Sequence, residues 1–227
     1  VQLDGHAHTL RTRTSTIGSG STDTLHASGW PAGAVRLHRL EASVFVESRL
    51  PATLDGQPLP PDRVRQMHPG QSLTLAGHRL TLTAFALQPA RTPRMVMLQP
   101  IGKAGRLLFW FEDRTQLRVS LLQQHYQLMQ ILLESYVGSR LRSATRTRSP
   151  FTLSGPELPR GAARHRDLRM ELSGTRRLSL VAFRDLLEAV KSALVRAGLD
   201  GSAMLQTEEE WSRLQLGETC NVTLFNS

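Results

Sequence analysis

Short runs of apolar and β-branched residues, cut every few positions by Gly, Pro or Asp, fill the first hundred positions of the chain. A chain punctuated this often folds as short strands joined by turns. Ala34 to Leu40 is one such run and Ala42 to Val46 another. Asp55-Gly56, inside Pro51 to Leu59, is a strong hairpin turn, because Gly accepts positive φ there. Pro69-Gly70 opens a second turn, after which Ser72–Leu75 and Arg79–Thr83 flank Ala76-Gly77-His78. Strands of this length and spacing predict a β-sandwich rather than a parallel sheet. With 227 residues and 40% hydrophobic content the chain can bury real cores, in one or two domains of roughly 100–150 residues each.

Three motifs in this region resemble the forkhead-associated (FHA) domain. Thr16-Ile17-Gly18-Ser19 followed by Asp23 is similar to the family's opening Ile-Gly-Arg-Ser with its following Asp. Asp55-Gly56-Gln57-Pro58-Leu59 resembles its short Asn-Gly hairpin, and Pro69 to Gly77 resembles its Gly-Asp-x-Ile-x-Leu-Gly ending. The resemblance covers residues 5–87 and implies a phosphothreonine reader, in which an Arg and a Ser meet the phosphate and an Asn holds the peptide backbone. This chain departs from that pattern. Ser19 stands at the Arg position, no Ser-x-x-His element is present, and Asp55 takes the Asn place. An Asp facing a phosphate repels it. Ser19, Ser21 and Thr22 can still donate hydrogen bonds from a Gly-rich loop. The expectation is an FHA-like sandwich that has lost phosphothreonine reading, similar to the scaffold-type FHA domains of bacterial secretion machines.

Beyond the sandwich, Arg106 to Phe111 is β-prone and Asp113 is placed to cap a helix. The apolar set from Leu117 to Val137 follows a helical period, with Gly138 at the C′ position. So wide a stripe predicts two buried faces, covered by another domain or, in a homo-oligomer, by a second chain through Leu117–Val137. His125 reads as an ordinary helical histidine. Arg166 to Leu172 alternates as a half-buried strand should, Ser173-Gly174-Thr175 is a turn, and Arg177 to Leu180 returns. Ser179 can cap a helix over Val181 to Val195, and Cys220 to Phe225 is a final strand on an antiparallel sheet.

The organisation expected is α+β overall: an FHA-like β-sandwich over 1–100, a strand and long helix over 101–138, a basic linker over 139–165, and a small α+β domain over 166–227.

Charge narrows the partners only loosely. The net charge is +9, and 26 of the 28 basic residues are arginines, as a GC-rich genome favours. Residues 151–227 are balanced at ten against ten, so the excess lies earlier and peaks at Arg140, Arg142, Arg146 and Arg148. That strip, mixed with Ser and Thr, reads as a solvated linker or as an arm for an acidic partner or nucleic acid. Asp185 and Glu188 read as a solvated helix face, and Glu208, Glu209 and Glu210 cannot all reach one ion because consecutive side chains diverge. The Asn221-Val222-Thr223 sequon falls in an apolar strand and is a chance match.

Cys220 is the single cysteine, which excludes an internal disulfide framework and a multi-cysteine zinc site and makes a reducing cytoplasm the default. No apolar run approaches the roughly 20 residues of a membrane span. Val1 is not an initiator methionine, so a fragment or trimmed product is expected. Phosphate-binding loops, dinucleotide fingerprints, His-Glu-x-x-His and Gly-x-Ser-x-Gly are all missing. The reading is a non-catalytic scaffold or regulatory adaptor without cofactor or metal, with a nucleic-acid-binding regulator as the alternative.

Overall fold

The computed structural model describes residues 1–40, 43–84, 91–144, 158–159, 161–173, 178–217 and 219–225. The chain divides into two compact units, one of residues 1–91 with 194–200 and one of 92–193 with 201–227.

The first unit is the β-sandwich that the punctuated sequence predicts. Its strands are β1 (Gln2–Leu3), β2 (His6–Ala7), β3 (Thr14–Gly18), β4 (Leu25–His26), β5 (Val35–Leu40), β6 (Ser43–Ser48), β7 (Ala52–Leu54), β8 (Gln57–Leu59), β9 (Val64–Met67), β10 (Ser72–Leu75) and β11 (His78–Thr81). They form a six-stranded sheet in the order β2-β1-β11-β10-β7-β8 and a five-stranded sheet in the order β4-β3-β5-β6-β9. Alternation along the strands sends Ile17, Leu37, Val46, Leu73 and Leu80 inward to one core. Trp30 is buried among them, and its indole N–H donates to the Leu75 carbonyl at 3.1 Å. The β7–β8 turn has positive φ at both Asp55 (47°) and Gly56 (76°), the geometry whose twist matches a tight hairpin.

In the second unit β12 (Met95–Ile101), β13 (Ala104–Trp110) and β14 (Gln116–Leu121) form an antiparallel meander. The C-terminal β18 (Asn221–Leu224) joins β12 in parallel, giving the order β14-β13-β12-β18. Helix α1 (Gln123–Ala144) packs on this sheet. A three-stranded sheet, β15 (Ala162–Arg164), β17 (Trp211–Leu214) and β16 (Leu205–Thr207), completes the unit with α2 (His165–Ser173), the short α4 (Gly201–Met204) and α3 (Leu180–Arg196), whose residues from 194 on belong to the first unit.

Several expectations are corrected here. Gln116–Leu121 is strand, not the start of the helix, because Leu117, Val119 and Leu121 pair with Phe109, Leu107 and Gly105 and share their buried face. Asp113 serves the turn between β13 and β14 instead of capping a helix; its Oδ1 accepts the Thr115 N–H at 3.0 Å. The helix then passes through Gly138 to Ala144. It buries one stripe, Leu128, Met129, Leu132, Leu133 and Tyr136, and not two faces, while Leu122 is 70% exposed. The case for a second chain along Leu117–Val137 therefore loses its basis.

Arg166 to Leu172 lies in α2 and not in a strand, with Leu168 as its deeply buried residue. Gly174, Thr175 and Arg177 lie outside the described residues. Ser179 caps α3 as expected: its Oγ accepts the Ala182 N–H at 3.1 Å. The final strand is parallel to its neighbour and belongs to the sheet of β12, so 95–101 does not form part of the sandwich.

Candidate functional site

The loops at one end of the sandwich carry the residues that the resemblance points to. Ser19, Ser21 and Thr22 are exposed on the β3–β4 connection. Asp23, which ends this stretch, organises it. Its carboxylate accepts the Gly20 N–H at 2.8 Å and the Gly33 N–H at 3.0 Å, tying the β3–β4 loop to the β4–β5 loop. The Gly33 hydrogen bond, with smaller help from Gly20, Thr16 and the charge of Arg49, holds this carboxyl below the usual range against desolvation. The Ser19 N–H donates to the Trp30 carbonyl at 3.1 Å. Gly18 has no room for a side chain: a Cβ there would lie 2.2 Å from the Pro31 carbonyl oxygen. The amides at 19, 20 and 33 are thus engaged within these loops, by the Trp30 carbonyl and the Asp23 carboxylate.

The residue that sequence reasoning missed is Arg49, on the β6–β7 connection. Its guanidinium approaches Gly33, with Nη1 3.6 Å from where a Cβ would sit. The signal available was the exposed Arg49-Leu50-Pro51 stretch directly after an apolar strand. Asp55 does not join this group through its carboxylate. Its Oδ1 accepts the Ser72 N–H at 2.9 Å and so braces its own hairpin. Arg140 and Arg142 fall in the last turns of α1, and Arg146 and Arg148 lie outside the described residues.

A second polar constellation lies in the five-stranded sheet of the sandwich. The Thr14 hydroxyl is 3.4 Å from His38 Nδ1, and His38 Nε2 is 3.4 Å from Glu47 Oε2. Both His38 and Glu47 are buried. The order hydroxyl, imidazole, carboxylate is that of a nucleophile relay. Its geometry is structural instead: both contacts are long, and the other Glu47 oxygen is held by Arg196 Nε at 2.9 Å. Arg196 also donates to the Asp62 carbonyl. Burial alone would push the Glu47 carboxyl up, but the hydrogen bonds and charges of His38 and Arg196 outweigh it and hold the carboxyl at about 2.

A cavity of about 380 Å³ lies between Leu37, Val44 and Leu82, with Ser15 and Arg39 on its wall. The Arg39 guanidinium is engaged with the Leu10 and Arg11 carbonyls. Among the described residues no three His, Cys, Asp or Glu side chains converge as a metal site would require. Glu208, Glu209 and Glu210 are exposed on the β16–β17 connection.

No family model and no curated protein matches the chain. Solved structures do. One, from a structural and functional analysis of phosphothreonine-dependent FHA domain interactions, is 18% identical, with 38% of this chain and 95% of that chain covered and a TM-score of 0.33. The Rv0020c FHA structure is 16% identical over 36% of this chain and 87% of that chain, with a TM-score of 0.32. Rad53 1–466 in complex with AMP-PNP is 10% identical over 54% of this chain and 39% of that chain, with a TM-score of 0.29. The first unit is a β-sandwich and the chain as a whole is α+β. No helix among the described residues is long and apolar enough to cross a membrane.

Proposed function

We infer that this chain is a non-catalytic protein–protein interaction module, a scaffold or adaptor whose FHA-like sandwich engages its partner without reading phosphothreonine. One observation carries the reading: the exposed loop residue in the place of the family's phosphate-binding Arg is Ser19. Ser19, in the position where the family carries its Arg, adds a hydroxyl but no compensating charge. The exposed hydroxyls of Ser19, Ser21 and Thr22 suit a neutral, hydrogen-bonding contact with a partner protein. A cytoplasmic bacterial assembly, such as a secretion machine, is the setting that the degenerate resemblance favours.

The test is a photo-crosslinking side chain at position 21 in the full chain, exposed to lysate with and without phosphatase treatment, alongside a phosphothreonine peptide array. The reading expects one defined adduct that survives phosphatase and array binding that ignores phosphorylation. An adduct abolished by phosphatase, or array hits that require phosphate and vanish in Arg49→Ala, would overturn it.

A further inference from the structure

The four-stranded sheet of the second unit has two unlike faces. Val96, Leu98, Leu107, Phe109, Val119 and Leu121 share the face toward α1 and are almost fully buried. The side is fixed by Gly105, where an added Cβ would fall 1.9 Å from the Tyr126 ring of α1. Register then decides what the opposite face holds, since directly paired residues point the same way and sit about 4.5–5.5 Å apart.

Three rows cross that face. Met95, Trp110 and Gln116 make the first, Met97, Leu108 and Arg118 the second, and Gln99, Arg106 and Ser120 the third. Trp110, Met95, Met97, Gln99 and Arg106 are half-exposed, Gln116, Arg118 and Ser120 are exposed, and Leu108 between them is buried. None of these positions, nor Asn221 and Thr223 which extend the first two rows, is a carboxylate. The Arg118 guanidinium contacts the neutral Gln116 amide at 3.2 Å. The surrounding sequence keeps the same sign, with nine basic and three acidic side chains over 92–150.

The geometry points to this face as a platform for single-stranded nucleic acid. A sheet face with an indole and two thioethers offers apolar surface on which unpaired bases stack. Arg106 and Arg118 stand beside that surface at the spacing of successive rows, where they meet backbone phosphates. The amides of Gln99 and Gln116 carry both donors and acceptors for base edges. Other occupants fit less well. A second copy docked face to face would oppose the same arginines, and duplex would need an element that projects into a groove, which a sheet face lacks. An acidic peptide answers the charge but makes no use of the stacking surface. This inference stands apart from the sandwich reading, and either can fail without the other.

The experiment measures anisotropy of fluorescein-labelled U12 and dT12 with the full chain at 50 and 150 mM salt. Binding should weaken as salt rises. Arg118→Glu, at an exposed site that leaves the fold intact, should weaken it at least tenfold and lower the slope of log K against log salt by about 0.7 for each phosphate no longer neutralised. Trp110→Leu should weaken binding about tenfold at an unchanged salt slope. If that variant melts early, the Arg118→Glu result decides alone. Absence of oligonucleotide binding at 50 mM salt overturns the inference. So does binding that ignores Arg118→Glu but disappears in Arg140→Gln/Arg142→Gln. A poly-glutamate peptide that binds through Arg118 while oligonucleotides do not would assign the face to an acidic partner and overturn it as well.

Discussion

Glu47→Gln removes the charge from the most enclosed ion pair in the sandwich, and its effect should depend on pH in a calculable way. A carboxyl held at about 2 against an ordinary 4.5 corresponds to about 3 kcal/mol of stabilisation, at 1.36 kcal/mol per pH unit. Arg196 is 41% exposed, so solvent screens its share and about 2 kcal/mol is the better expectation. Because the folded value is depressed, this stability is complete above pH 4.5 and disappears as pH falls toward 2. Hydrogen exchange of the β6 amides Val44 to Glu47 reads the opening of this strand. Wild type should exceed Glu47→Gln by about 2 kcal/mol at pH 6, and the difference should shrink to about a quarter of that by pH 2.5. A difference that stays constant across that window would show that the carboxylate is not held by its partners. A difference near zero at pH 6 would show that desolvation cancels the pairing.

Three further outcomes are expected. Asp23→Ala should cost about 1–2 kcal/mol and speed exchange of the Gly20 and Gly33 amides, since two hydrogen bonds that join the loops are removed; unchanged exchange at both glycines would refute this role of Asp23. Burial of His165, helped by the charges of Arg184 and Arg169, lowers its affinity for protons, while its Nε2 lies 2.9 Å from Ser212 Oγ. Its contribution should therefore be complete above pH 6.5 and lost as pH falls below that value, and thermal melts of His165→Gln should lack this slope. Leu132→Asp, at a position with no exposure, should give insoluble or early-melting protein at a cost of several kcal/mol, whereas Val181→Asp, at a site 72% exposed, should melt like wild type; soluble Leu132→Asp with native melting would refute the packing of α1.

Asp55-Gly56 and Ser179 were legible because each is a local device. A turn that needs two positive φ values, or an N-cap that needs one hydroxyl, is satisfied within four residues and leaves its mark in composition. The alternation of Val35, Leu37 and Leu40 with Arg36 and Arg39 marks a strand in the same local way. Leu117 and Leu121 show where local pattern stops deciding. Four residues apart, they fit one helical face, yet with Val119 they also fit one strand face, and pairing with β13 selected the strand. Leu168, Met170 and Leu172 are the reverse case: they alternate like a strand, but the segment folds as α2 and buries Leu168 most deeply.

The site divides along the same line. Residue type and spacing alone put Ser19, Ser21 and Thr22 on a Gly-rich loop. Only the tertiary structure decided that Arg49 is the cation near that loop, that Asp55 is occupied by Ser72, and that Trp110 shares a face with Arg106 and Arg118. It also decided that Asn221–Leu224 lies parallel to β12, more than a hundred residues away in the chain. Local periodicity records which way a side chain points relative to its own backbone. It carries no record of which distant strand comes to lie beside it, since that choice is made by burial shared between segments that meet only in the folded chain.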